Sequence, residues 1–201
     1  MSTNWTAIIL TGGTSRRFGS DKSQVMISGH SLLDAILLSL PAELRVIVVG
    51  PEPLSSVRAV QITREQPIHG GPVAGIAAGL ALVETDLVGV IATDMPFAAP
   101  LLSQLVNQLP NEADVIVPID TKGFRQPLCA VYRVHALRQA LVQLGDPHGQ
   151  SMRNLVALLE IYELLVGDNA LNELMDIDTQ LDLEHAAAFS RQMRNNLTNE
   201  R

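Results

Sequence analysis

The sequence predicts a single α/β domain with a mostly parallel β-sheet and helices on both faces. Three observations carry this expectation. Aliphatic runs such as "WTAIIL", "RVIVVG" and "LVGVIAT" alternate with segments of helical periodicity, and unbroken aliphatic strands are those buried on both faces. Hydrophobic residues make up 47% of the chain but aromatic ones only 3%, so the core rests on Val, Ile, Leu and Ala. The 201 residues suit one sizeable domain, and no Pro/Ser-rich linker, repeat or low-complexity run divides them.

The elements follow in order. "WTAIILT" is a first strand. "SLLDAILLSL" is a helix, with Ser31 as N-cap, Asp34 at the capping-box position and Pro41 past its end. "RVIVVG" and "RAVQIT" are the next strands. "GPVAGIAAGLALV" is a helix opening at Pro72, a residue favoured in a first turn. "LVGVIAT" is the fourth strand, and "PLLSQLVNQL" a helix that again opens on Pro. "DVIVPI" and "QPLCAVYR" are strands, while "VHALRQALVQL" and "SMRNLVALLE" are helical, the latter with Ser151 as cap. "IYELLV" and "LMDID" read as extended, and a helix from about Thr179 to Arg194 closes the domain. The domain is therefore expected over 1–194, with a polar tail at 195–201. Repeated strand–helix–strand units imply a Rossmann-like three-layer sandwich with parallel strands and right-handed crossovers. In such sheets ligands sit at the carboxyl ends of the strands, near a switch in strand order.

Charge and cysteine content narrow the class. A net charge of −7 and the absence of a dense basic face argue against nucleic-acid binding. Cys129 is the single cysteine, set in the strand "PLCAVY", where a buried inert thiol is expected; it forms no intramolecular disulfide or CxxC pair. The first apolar stretch, "AIIL", is too short for a leader and lacks a cationic start. No apolar run reaches the roughly 18–20 residues that span a bilayer, so a cytoplasmic protein is expected.

Four stretches hold chemistry. In "LTGGTSRRFGSDK", Gly12 and Gly13 let backbone amides approach a phosphate, and Arg16, Arg17 and Lys22 can neutralise one. This is neither a P-loop nor a GxGxxG fingerprint, and a solvated Gly-rich turn is the plainer alternative. In "GVIATDMPF", Asp94 projects from the end of a strand, where Mg²⁺ takes one or two carboxylates and fills its remaining positions with water and substrate phosphate. An Asx turn before Pro96 or an N-cap would use the same residue. In "REQPIHGGPVAGIAAGL", Gly70, Gly71 and Pro72 form a turn with amides free for an anion, Glu65 can accept bonds from a base or ribose, and Gly75 and Gly79 serve close helix–sheet packing. In "LMDIDTQLDL", Asp176 and Asp178 are expected on opposite faces of an extended segment, so that only one faces a metal, with Thr179 as N-cap of the last helix.

Together and in this order, these stretches resemble the nucleotidyltransferase family whose type is the molybdenum cofactor guanylyltransferase. The family pattern LAGG-x-x-x-R-M-G-x-DK reads here "LTGGTSRRFGSDK", GPLAG reads "GPVAG", the strand-end Asp before x-P reads "TDMPF", and N-x-N-T-P-E-D-L reads "DIDTQLDL". The match runs from about Trp5 to about His185 and implies a nucleotide-diphospho-sugar transferase-like fold. It implies that the backbone of Leu10, Thr11, Gly12 and Gly13 holds the nucleotide and that Arg16 and Lys22 bind the triphosphate. Glu65 would lie at the nucleoside, Asp94 would bind Mg²⁺, and Asp178, ranked above Asp176, would supply a second metal contact, while Gly71, through the free amides of its turn, is a further nucleotide-binding candidate. Thr11 replaces Ala, Phe18 replaces Met and Gln180 replaces Pro. Val49 stands where some guanylyltransferases carry Asn, and Gln126 in "RQPLCAVY" stands for a His, so base preference and acceptor identity are left open.

The implied reaction is transfer of GMP from GTP to the terminal phosphate of molybdopterin or Mo-molybdopterin, with pyrophosphate leaving. Catalysis would rest on positioning and charge neutralisation. Arg125, Gln126 and Ser151 are the acceptor-side candidates, beside His148 and Arg153 of "DPHGQSMR". Transient contact with molybdopterin-delivering proteins is implied, and neither nucleic acid nor membrane is expected as a partner. A cytidylyl or sugar- or alcohol-phosphate transferase, and a nucleotide-binding regulator without turnover, are the rival readings.

Overall fold

The computed structural model describes residues 4–11, 25–51, 55–120, 123–167 and 174–199. Seven strands form one sheet: β1 (Trp5–Leu10), β4 (Arg45–Val49), β5 (Gln61–Thr63), β6 (Leu87–Ala92), β7 (Val115–Ile119), β8 (Cys129–Arg133) and β9 (Ile161–Leu165). Their spatial order is β5-β4-β1-β6-β8-β7-β9. The chain moves outward from β1 through β4 to β5, then returns to the other side of β1 as β6. That reversal puts the switch point at the carboxyl end of β1. A two-stranded hairpin, β2 (Met26–Ile27) and β3 (His30–Ser31), lies outside the sheet. Its turn uses Ser28 and Gly29 at φ 51° and 94°, the pair of positive angles that a tight hairpin requires.

Every residue of β1 and β6 is buried, as unbroken aliphatic runs demand. Alternate side chains of β1 serve opposite faces. Ala7 and Ile9 meet α1 (Leu32–Ser39) and α3 (Ala99–Gln108). Ile8 and Leu10 meet α2 (Pro72–Leu80), α4 (Val134–Leu144) and α5 (Met152–Val156). This is the expected three-layer arrangement. Gly79 of α2 lies so near β1 that a Cβ there would come within 3.0 Å of two Ile8 methyl carbons, which explains the helix glycines as packing residues. A third, smaller core joins Ile27, Leu32, Ile177 and Ala186, the last from α6 (Gln180–Asn199).

Four expectations need correction. β8 is antiparallel to both β6 and β7. Only residues 120–128 separate it from β7, too few for the crossover that parallel pairing needs. "LMDID" forms no strand among the described residues. Asp34 does not complete a capping box: Ser31 Oγ accepts its N–H at 3.0 Å, but its carboxylate accepts the Val57 N–H at 2.9 Å. The last helix runs to Asn199, beyond the end at Arg194 that the sequence pattern predicts.

Candidate active site

The carboxyl ends of β1, β4, β5 and β6 are stitched together. Thr11 donates its N–H and its hydroxyl to the Val49 carbonyl, both at 2.9 Å. Thr93 donates its N–H and its hydroxyl to the Leu10 carbonyl, both at 3.0 Å. The Gly50 N–H reaches the Thr63 carbonyl at 2.9 Å. Both threonines are buried, so each hydroxyl satisfies itself on the second lone pair of a strand-end carbonyl that already accepts an amide. Leu10 and Thr11 thus stand at the switch point, with the Leu10 carbonyl and the Thr11 amide engaged across the sheet. The Gly-rich loop departs here. Gly12, Gly13, Arg16 and Lys22 lie outside the described residues, and the chain resumes at Val25, whose carbonyl accepts the Leu32 N–H at 3.0 Å.

Asp94 lies two residues past the end of β6, after Thr93, and is half-buried in a turn. The N-cap reading of this residue fails, because the cap of α3 is Ala98, without a side-chain bond. The main chain of Asp94 receives a distant segment: the Ile177 N–H donates to the Asp94 carbonyl at 2.9 Å. Ile177 is fully buried, while Asp176 and Asp178 on either side of it are exposed. The expectation that the two acids point to opposite faces is therefore overturned. Residues two apart in a non-helical segment share a side, and Ile177 between them takes the other.

Asp178 leads into α6 through a tight set of bonds. Asp182 Oδ2 accepts from the Asp178 N–H at 3.1 Å, the Thr179 N–H at 2.7 Å and the Thr179 hydroxyl at 2.8 Å. Thr179 Oγ1 in turn accepts the Asp182 N–H at 3.2 Å. The Thr179 hydroxyl bond, helped by the two amide bonds and by His185, holds the Asp182 carboxyl below the ordinary aspartate range against the opposing effect of burial.

Glu65 accepts the His69 N–H on Oε1 at 3.0 Å, which braces the turn that brings His69 to φ 67°. Gly71 caps α2 at φ 87°, with no side-chain bond to the helix amides, and among the described residues no atom of another part of the chain lies within 4 Å of where its Cβ would be. The loop after α4 docks on this turn. The Gly149 N–H donates to the Gly70 carbonyl at 2.8 Å, and His148 Nδ1 lies 3.2 Å from the place a Gly70 Cβ would take. Ser151 caps α5, its Oγ accepting the Asn154 N–H at 3.1 Å. Because β8 is antiparallel, residues 123–128 sit at the same end of the sheet as Asp94, joined by the Ala92 N–H to the Leu128 carbonyl at 2.9 Å. Within them, Arg125 pairs with Glu163 at 2.5 Å, and the Gln126 N–H donates to the Pro118 carbonyl at 2.9 Å.

The fold thus brings Asp94 and the 176–178 segment together, and brings the Gly70–Gly71 turn to the loop holding His148 and Ser151. Sequence reasoning missed Thr93, Gly50 and Asp182. Only Asp182 had a visible signal, the spacing T-x-x-D of a capping box. Among the described residues no group of three His, Cys, Asp or Glu side chains could hold a metal, and no helix is long and apolar enough to cross a membrane.

A strand-end carboxylate and a Gly-rich loop at the switch point of such a sheet define a nucleotide-handling α/β protein. Residues 7–163 match the model of the MobA-like NTP transferase domain, and the chain belongs to that family of nucleotidyltransferases. Among its relatives, a probable molybdenum cofactor guanylyltransferase of Natronomonas pharaonis is 31% identical, over 90% of this chain and 96% of its own. One from Chloroflexus aggregans is 36% identical over 65% of this chain and 66% of its own. The crystal structure of molybdopterin-guanine dinucleotide biosynthesis protein A from Archaeoglobus fulgidus superposes with a TM-score of 0.72 at 25% identity, covering 93% of this chain and 99% of that one. A 2-C-methyl-D-erythritol 4-phosphate cytidylyltransferase from Thermus thermophilus, 16% identical, shares the fold with a TM-score of 0.67 over 92% of this chain and 98% of its own. The fold is nucleotide-diphospho-sugar transferase-like.

Proposed function

We propose that this chain transfers GMP from GTP to the terminal phosphate of molybdopterin or Mo-molybdopterin in the cytoplasm. The observation that carries the reading is the bond from the Ile177 N–H to the Asp94 carbonyl. It holds the exposed Asp178 segment against the end of β6, beside β1, from which the Gly-rich loop departs. The names of the relatives supply the choice of guanylyl transfer.

The donor set suits Mg²⁺. Asp94 and Asp178 offer hard carboxylate oxygens, and a site of one or two carboxylates leaves coordination positions for phosphate and water. When bound there, Mg²⁺ supplies charge neutralisation at the α-phosphate.

In the reaction an acceptor phosphate oxygen forms a bond to the α-phosphorus of GTP, the bond to the bridging oxygen breaks, and pyrophosphate leaves with that electron pair. The acceptor oxygen is already anionic at neutral pH, so no general base is assigned. Arg16 and Lys22 neutralise the departing pyrophosphate. The backbone at Gly12 and Gly13 approaches the phosphates, and the Glu65–Gly71 turn borders the nucleoside. Arg125, Gln126 and Ser151 are the acceptor-side groups; Ser151 keeps its hydroxyl proton for a ligand, since its oxygen already caps α5.

The test is pyrophosphate release with GTP, molybdopterin and Mg²⁺. Release that requires both substrates supports the reading. Its absence from correctly folded protein favours a regulator, and turnover with CTP in place of GTP favours a cytidylyltransferase.

A further inference from the structure

We propose that Asp182 is a positioning residue that sets the metal-binding geometry of Asp178. The proposal rests on the reading of Asp94 and Asp178 as the metal pair.

A capping box needs two reciprocal bonds: the N-cap hydroxyl accepts the N3 amide, and the N3 side chain accepts the N-cap amide. Thr179 and Asp182 make both. Asp182 Oδ2 then accepts a further bond, from the Asp178 N–H at 3.1 Å. Asp178 precedes the cap, so this amide is not among those a helix start must satisfy.

The extra bond completes an anchor for Asp178. The preceding amide, that of Ile177, is fixed on the Asp94 carbonyl at 2.9 Å. The Ile177 side chain is fully buried with Ile27, Leu32 and Ala186. Two successive N–H groups are thus tied to two different elements, one to the turn after β6 and one to the first turn of α6. With both tied, rotation of the peptide between Ile177 and Asp178 is restrained, and the Asp178 backbone is held one residue from the bond to the Asp94 turn. A carboxylate so placed binds a cation without first ordering its own backbone, and partners of this kind change metal affinity when lost.

The experiment titrates Mg²⁺ in the pyrophosphate-release assay on the full chain, with Mn²⁺ affinity read by electron paramagnetic resonance in the presence of a non-hydrolysable GTP analogue. Asp182→Ala is expected to raise the half-saturating Mg²⁺ concentration and the Mn²⁺ Kd about tenfold, with kcat at saturating metal within about twofold of wild type. Asp182→Asn keeps a side-chain oxygen acceptor and is expected to restore most of the metal affinity. Asp114→Ala removes a carboxylate that accepts the Glu160 N–H at 3.0 Å, away from this site, and controls for lost stability.

Asp182→Ala that melts earlier with wild-type metal dependence, as expected of Asp114→Ala, overturns the proposal and leaves a mere cap. Should Asp182→Ala fail to fold, Asp182→Glu decides, since it keeps the capping box but displaces the carboxylate by one methylene; unchanged metal dependence there overturns the proposal, and a raised requirement supports it. Asp178→Ala tests the underlying reading separately. Unchanged metal dependence in that variant removes Asp178 as a ligand, and this inference with it. A shift in Asp178→Ala with none in Asp182→Ala overturns this inference alone.

Discussion

Gly50 has no room for a side chain: a Cβ there would lie 1.7 Å from Thr11 Oγ1. That hydroxyl is held by the Val49 carbonyl and cannot rotate away without losing its bond. Gly50→Ala is therefore expected to destabilise the protein by about 1–3 kcal/mol, the usual range for overpacking. Thr11→Ala combined with Gly50→Ala should recover part of that loss, because it deletes the colliding oxygen; denaturant melts of the two variants measure the recovery. Asp94 calls for a different assay. Asp94→Asn is expected to lower kcat by about 10²–10³, as loss of a comparable electrostatic contact does. Its fold should persist, since the main-chain carbonyl that receives Ile177 is unaltered; circular dichroism beside the kinetic assay checks both statements.

At the scale of elements, α6 is the one that reaches the site from farthest along the chain. It packs through Ala186 into the small third core and through Phe189, whose ring meets Phe97 edge-on at 5.1 Å. Phe97 belongs to the loop that follows Asp94, so loss of this contact is felt beside the strand end. Phe189→Ala is expected to cost about 0.5–1.5 kcal/mol for the ring pair, beyond the area lost, and to speed amide exchange in α6 more than in the sheet. The cap of this helix also has a pH signature. The folded Asp182 carboxyl is more acidic than its unfolded counterpart, near 3.9, so its stabilisation is complete above that value. It is lost as pH falls through the folded value. The group is only partly buried at the surface, where solvent screening keeps the contribution small. Thermal melts of wild type and Asp182→Asn should differ at neutral pH and converge in acid.

For the molecule as a whole, the strand order gathers the candidate site residues at one end. The reversal at β1 places the departure of the Gly-rich loop, Asp94, residues 123–128 and the α2 amino terminus at the carboxyl ends of the strands. A ligand bridging these parts binds only the folded state and must raise stability by mass action. At 100-fold excess over Kd the gain is about 2.7 kcal/mol, or a Tm rise of roughly 5–10 °C for a chain of this size. GTP with Mg²⁺ is expected to give such a shift, EDTA to remove it, and CTP to give a markedly smaller one; a larger response to CTP would reassign the base preference.

How much of this could be read beforehand differs by kind of interaction. The buried strands, the helices and the burial of Cys129 were legible, because periodicity and aliphatic content are local properties. The packing role of Gly75 and Gly79 was legible from their spacing. The direction of β8 was missed although its signal, a connection with no helix in it, was present in the chain. The pairing of Ile177 with Asp94 had no local signal at all: 83 residues of sequence separate an amide from its acceptor, and no property of either residue names the other. Sequence therefore decided which segments could be buried and which carry charge near a glycine turn. The cap that Asp182 makes is local and stands in the T-x-x-D spacing; the meeting of Asp94 with the Asp178 segment came from folding, since a hydrogen bond between distant elements exists only once their cores have packed.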